Sequence, residues 1–264
     1  LVFEFLISKM SYIRDEVIVL KKVSIREWDR RYFLYGREHG LLFAVARGAM
    51  KLQAKQASQL EPFSFADVMI AKGRAYDHLA VAVRGKESKQ LARLEAYAVA
   101  GAFSDLNLKL LKQGVADERI YKLWVELLEI LTRIKVEISS LRAQLLFSAV
   151  SLRLLDLLGY GPFFKACIKC GELMGPTQTF YAPKRNAIVC LDCGDSVSET
   201  LIRVPAHAMN LMQFLRSALL EDVIRVTAPV EFIETVIVMT REICKHAPLD
   251  FEPHGFRSIA ELTK

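Results

Sequence analysis

The chain has 264 residues, 52% of them hydrophobic and 25% charged, with a formal net charge of +6. That is enough chain to bury a core and to divide into two or three folding units. No apolar run approaches the roughly 18 to 20 residues of a membrane helix: Glu4 and Lys9 interrupt the first stretch, which also lacks the basic start and small-residue cleavage site of a signal peptide. Met10 is a candidate natural start, with residues 1–9 an upstream extension.

Residues 16–20, 31–35, 41–45, 63–71 and 78–83 are short β-branched or aromatic runs, the signature of five strands. Turn chemistry at His39-Gly40 and Lys72-Gly73 separates them, and the polar stretch 51–61 is too long for a hairpin turn. Five strands in so short a span suit a small closed barrel, because closure removes exposed edges. The expected fold class is α+β: an OB-fold barrel over residues 1–85, then an α-helical domain over 86–162 and 196–264 interrupted by a ribbon at 163–195. The helices expected from apolar periodicity cover about 91–113, 118–135 (with Asp117 as N-cap), 138–158, 205–220 and 229–245.

Four of the five cysteines form two C-x-x-C pairs, Cys167 with Cys170 and Cys190 with Cys193, with 19 residues between the pairs. This is four-thiolate zinc spacing, and the expected cofactor is one structural zinc ion. Residues 179–182 and 186–189 read as two strands meeting at Pro183-Lys-Arg185, the layout of a zinc ribbon. Gly171 and Gly194, one after each pair, are expected to supply the positive φ such a knuckle needs. Four thiolates leave no open coordination position, which argues against a metallohydrolase. Cys244 reads as a buried small hydrophobe, and no residue is assigned catalysis. Paired thiols without a signal peptide point to a reducing compartment and hence the cytoplasm.

The positive charge is concentrated early: 14 Lys and Arg against 9 Asp and Glu precede Lys86. A barrel with basic, aromatic-containing strands is a single-strand nucleic-acid platform. The candidate nucleic-acid residues are Lys21, Lys22, Arg30, Arg31, Arg37, Arg47, Lys51, Lys55 and Arg74, with Arg26 also in the set and Trp28, Tyr32 and Tyr35 interleaved. Phe33, Phe43, Phe63 and Phe65 are expected in the barrel core. Farther along, Lys135, Arg142 and Arg153 fall at helical spacing beside Leu145, Leu146 and Ala149. Such a stripe is either a solvated face or a seat for an acidic peptide ending in an apolar residue.

The run Glu16-Val-Ile-Val-Leu-Lys-Lys22, the segment 37–49 (REHGLLFAVARGA), Leu60-Glu-Pro-Phe63 and the C-terminal Gly255-Phe-Arg-Ser258 together resemble the bacterial DNA repair protein RecO family, as does the order barrel, helices, four-cysteine ribbon, helices. The resemblance covers nearly the whole chain from Arg14, and segment 37–49 is its most specific part. It implies a non-enzymatic recombination mediator of the bacterial nucleoid. Such a protein binds single- and double-stranded DNA and anneals complementary strands. It contacts the C-terminal tail of single-strand binding protein and works with RecR to load RecA. Some family members lack the cysteines, so the ribbon is not the shared source of activity. In the family the loop after Arg47 is often densely basic, whereas here residues 50–58 carry only Lys51 and Lys55. The alternative class is a zinc-ribbon interaction module, an adaptor whose barrel binds RNA or protein.

Overall fold

The computed structural model describes residues 11–50, 60–85, 90–134, 138–175, 179–246 and 254–262. They form two compact units, one of Leu1–Leu91 with Leu111–Leu128, the other of Ala92–Leu110 with Glu129–Lys264. Among the described residues no helix is long and apolar enough to cross a membrane.

The first unit is built on five strands, β1 (Tyr12–Ser24), β2 (Arg30–Gly36), β3 (Gly40–Ala46), β4 (Phe65–Ala71) and β5 (His78–Arg84). All five expected strands are present, and β1 is longer than its apolar run. They close in the order β1-β2-β3-β5-β4, with β4 returning to β1. Every pairing is antiparallel except the closing one, where β3 meets β5 in parallel at Val45 and His78. This is the Greek-key order of an OB-fold barrel. A bulge between Val19 and Lys21 lets the long β1 serve both β2 and β4. The interior is filled by Val17, Val19, Tyr32, Leu34, Leu42, Ala44, Val68 and Ile70, at alternating positions along each strand.

The β2–β3 turn is held from β1. The buried Asp15 carboxylate accepts from the backbone N–H of Glu38 and of His39, and lies 3.0 Å from His39 Nδ1. Gly36 is required there, since an added Cβ would lie 2.1 Å from Asp15 Oδ2. At the other side of the barrel Phe63 adopts φ +63°, a conformation a bulky residue keeps only when its surroundings fix it. Its N–H donates to Val19 O at 2.7 Å, and its ring stacks on Trp124 at 6.5 Å.

The first unit therefore contains more than its strands. Residues 111–128 pack on the barrel: Gly114 N–H donates to Leu41 O, and the Tyr35 hydroxyl donates to Asp117 O. Asp117 then starts α2 (Glu118–Arg133), its carboxylate accepting from Arg119 N–H as an N-cap should.

In the second unit α3 (Ser140–Leu157), opened by the Ser139 side chain, is the hub. It packs against α1 (Leu94–Leu110), α5 (Ala206–Ser217), α6 (Leu220–Arg225), α7 (Val230–Lys245) and α8 (His254–Leu262). Cys244 is fully buried on α7. Neither α6 nor α8 was expected from periodicity, because six and nine residues offer too few turns to show it. Gly255 lets α8 approach closely: a Cβ there would come within 2.5 Å of Ala102 Cβ and 2.9 Å of the Phe147 ring. Gly255→Ala should therefore overpack this junction and destabilise the protein by about 1–3 kcal/mol, seen as a lower denaturation midpoint.

Candidate nucleic-acid interface and metal centre

The strand register separates the predicted basic residues into groups. Arg30 and Arg31 open β2 and stand opposite Ala46 and Val45 of β3, and Arg47 follows β3 directly. Val45 in turn faces His78, so the β4–β5 turn carrying Arg74 sits at this same end. Arg30, Arg31, Arg47 and Arg74 are thus gathered from three turns of the chain; Arg31, Arg47 and Arg74 are exposed and Arg30 is half-buried. Arg37 lies at the far end of β2, about 20 Å from Arg31 at ~3.3 Å per residue. There it sits 3.6 Å from Glu16 and 3.8 Å from Glu118. Lys21 is exposed on β1 opposite Phe33, while Lys22 Nζ is held by Glu61 Oε2 at 2.6 Å. Lys51 and Lys55 lie outside the described residues.

The aromatic residues change places relative to expectation. Tyr32 is fully buried inside the barrel, and Tyr35 is buried beneath the 111–117 segment. Burial pushes the Tyr35 hydroxyl up to about 12. Neither can stack on a base. Phe33 and Phe43, expected inside, face outward as a cross-strand pair with ring centroids 5.1 Å apart. Phe63 and Phe65 are buried, but neither joins the apolar cluster inside the barrel, where they were expected. Trp28, in the β1–β2 turn, is 47% exposed, whereas Trp124 is fully buried.

A cleft of about 340 Å³ opens on this outer face. It is lined by Arg31, Phe33 and Phe43 from β2 and β3, by Gly73, Ala75, Tyr76 and Asp77 from the β4–β5 turn, and by Gln113. Asp77 fixes the turn, taking Lys72 Nζ at 2.8 Å and Gly73 N–H at 3.2 Å.

In the second unit the four cysteines meet. The ribbon is a three-stranded sheet in the order β7 (Ala187–Val189), β6 (Thr179–Ala182), β8 (Ile202–Val204), the last strand unforeseen. Pro183–Arg185 form a 3-10 turn, and Asn186 takes the left-handed conformation that reverses the chain. The first knuckle docks on β7 through Ile168 N–H to Ile188 O, and Gly171 supplies the expected positive φ, +78°. Gly194 does not: it ends the helical turn α4 (Leu191–Gly194), and glycine is needed because a Cβ would lie 2.7 Å from the Phe180 ring.

The four Sγ atoms all lie within 4.8 Å of one another. Cys190 N–H donates to Cys167 Sγ at 3.4 Å. Burial raises the Cys167 thiol, but hydrogen bonds from Cys170, Cys190 and Lys169 outweigh it and bring the group down to about 6. Its neighbours move the other way: hydrogen bonding to Cys190, with burial, pushes Cys193 up to about 12, and burial raises Cys190. The donor set is all sulphur and fits a soft or borderline divalent ion in a closed tetrahedral shell.

Arg142 and Arg153 share one face of α3, as their spacing predicts, and both guanidinium groups engage carbonyls. Arg142 Nη1 donates to Ile224 O near the end of α6. Arg153 donates to Leu215 O at 3.0 Å and to Ala218 O, at the end of α5. They satisfy helix C-termini, where orphan carbonyls and the dipole favour a cation. Lys135 lies outside the described residues. Nearby, Ile130, Ile134, Ile138 and Ile224 line a cleft of about 400 Å³, together with exposed Arg133, Glu221 and Arg225. Arg133 and Arg225 were missed because each also reads as half of an i,i+4 pair, with Glu129 and Glu221.

The arrangement defines an OB-fold protein whose helical unit carries a ribbon with four cysteines close enough to hold a metal ion. The chain belongs to the recombination protein O family: the family's N-terminal domain matches residues 10–86, and its C-terminal domain matches residues 91–247. Similar proteins include a DNA repair protein RecO of Caldanaerobacter subterraneus, 26% identical across 94% of this chain and 98% of that protein. Another RecO, from Rubrobacter xylanophilus, is 27% identical over 90% of this chain and 94% of its own. A third, from Streptomyces avermitilis, is 32% identical over 70% of this chain and 75% of its own.

Metal uptake must displace the protons still on the raised thiols. Adding a divalent ion should release protons at neutral pH, and the apparent affinity should fall as pH is lowered. Titration in weakly buffered solution and competition with a chromophoric chelator measure the two effects.

Proposed function

We propose that this chain is a DNA repair and recombination mediator, without catalytic activity of its own, that holds DNA on the outer β2–β3 face of its barrel. The observation that carries this reading is the convergence of Arg30, Arg31, Arg47 and Arg74 on one end, beside an outward aromatic pair. Four cations that have no carboxylate ion pair among the described residues suit phosphates, and outward-facing rings suit bases. Family membership supports the finer steps: annealing complementary strands and, with RecR, helping to load RecA onto DNA coated by single-strand binding protein in the bacterial cytoplasm. The ion in the ribbon is zinc, with a structural role, since four thiolates complete its shell and folding free energy is what such a site supplies.

DNA affinity should fall steeply with salt. Arg31→Ala and Arg47→Ala should each weaken single- and double-strand binding and reduce the slope of log K against log salt by about one, whereas Arg37→Ala should change little. Fluorescence anisotropy across a salt series measures this. A response indifferent to Arg31 and Arg47 but sensitive to Arg37 would move the site to the other end. Loss of complementary-strand annealing in the same variants would tie the surface to activity, and a wild-type protein that neither binds nor anneals DNA would leave the adaptor reading.

The isoleucine cleft of the second unit suits the C-terminal tail of single-strand binding protein, an acidic peptide with an apolar end. Its walls are aliphatic and it carries Arg133 and Arg225, while Arg142 holds the α6 wall in place. Ile224→Glu should weaken binding of that peptide at least ten-fold in a calorimetric titration, with DNA affinity unchanged. Equal binding by the variant would exclude this cleft.

A further inference from the structure

The cleft beside Phe33 and Phe43 has a shape that phosphate binding does not require. One wall is the β2–β3 surface, where the two rings sit half-buried at register-paired positions. The other is the β4–β5 turn, which brings Tyr76 over the same space. That turn is fixed before any ligand arrives. Lys72 N–H donates to Ser11 O, Val45 N–H donates to Asp77 O, and Asp77 takes both Lys72 Nζ and Gly73 N–H. Gly73 is needed for the turn to be this tight, since a Cβ would lie 2.1 Å from Tyr76 O. Tyr76 is itself braced edge-on against His78, ring centroids 4.9 Å apart. A volume of about 340 Å³ stands at the small end of ligand pockets, room for one planar ring system and not a stacked run.

We propose that this cleft receives one unstacked nucleobase from a single strand, between the Phe33–Phe43 wall and Tyr76, with Arg31 beside it for the adjoining phosphate. The proposal rests on the reading of this barrel face as the DNA site and adds a base-dependent contact to it. A duplex keeps its base faces stacked, so it meets the arginines without entering the cleft. The insertion discriminates between single and double strands, not among bases: aromatic stacking accepts every base, and both Asp77 oxygens already hold the turn. Phosphate neutralisation and base insertion are therefore separable contributions on one surface.

The test compares three probes of equal length by anisotropy: an intact single strand, a strand with the same phosphates but abasic throughout, and a duplex. The wild-type protein should bind the intact strand about ten-fold more tightly than the abasic one, the lower range of what one stacked base contributes. Tyr76→Ala and Phe43→Ala should bring the intact strand down to the abasic level and leave abasic and duplex binding unchanged; Tyr76→Phe should retain the preference. Should Phe43→Ala unfold the barrel, as its melting curve would show, Tyr76→Ala on the turn carries the comparison. Equal affinity for intact and abasic strands, with salt dependence preserved, would overturn the base cleft and leave the DNA face standing. Variants that weaken duplex binding as much as single-strand binding would also overturn it. Absence of binding to all three probes would overturn both.

Discussion

One backbone hydrogen bond organises the first unit: Val45 N–H to Asp77 O, where β3 meets β5 and the barrel closes. Without closure β3 and β5 would each leave a row of unpaired backbone groups. With it, the β4–β5 turn is brought against the outer face of β3. Residues as distant in sequence as Arg31, Arg47 and Arg74 are then carried to one end of the barrel, where Arg31 lines an aromatic cleft. The strands also explain why only part of the early positive charge gathers there. Arg37 is carried to the far end of β2, where carboxylates meet it, and Lys22 is taken by Glu61.

The second unit solves a different problem, the burial of helix ends. Short helices leave many carbonyls without intrahelical partners. Here α5 and α6 end against α3, whose two arginines supply the missing donors. The basic stripe is thus built into the packing, and the aliphatic cleft beside it draws its exposed positive charge from Arg133 and Arg225 on other helices. A bidentate pair between Arg216 and Asp156, 2.6 Å at its shortest, also links α5 to α3. Arg216 also donates to Pro162 O just before the ribbon and lies over the Phe164 ring. The entry to the four-cysteine ribbon is anchored in this way.

Strands and cysteine pairs were legible because each has a short-range signature: β-branched runs for the first, fixed spacing for the second. Parity was not. In the run Arg30 to Tyr35 both faces of the strand carry aromatics, and a hydroxyl suggests an outward tyrosine. Yet Tyr32 points into the barrel and Phe33 points out, because Arg31 fixes the solvent side and alternation does the rest. Tyr35 does lie on the outer parity but is roofed by a segment more than 70 residues later, which no local pattern reveals. The same limit hid β8: three residues, Ile202 to Val204, become a strand only because β6 offers an edge. Gly194 shows a subtler case, in which the residue type was right and its reason was spatial: room for Phe180 in place of a left-handed backbone.

The chain crosses between its two units three times, after Leu91, Leu110 and Leu128. The barrel unit is therefore not one continuous stretch of sequence. A fragment ending where the strands end would lose the residues that roof Tyr35, donate the Gly114 N–H to Leu41 O and stack Trp124 on Phe63. An exchange of barrels between relatives, by gene shuffling or by engineering, must carry residues 111–128 along with the strands, as a discontinuous cassette cut from the middle of the helical sequence.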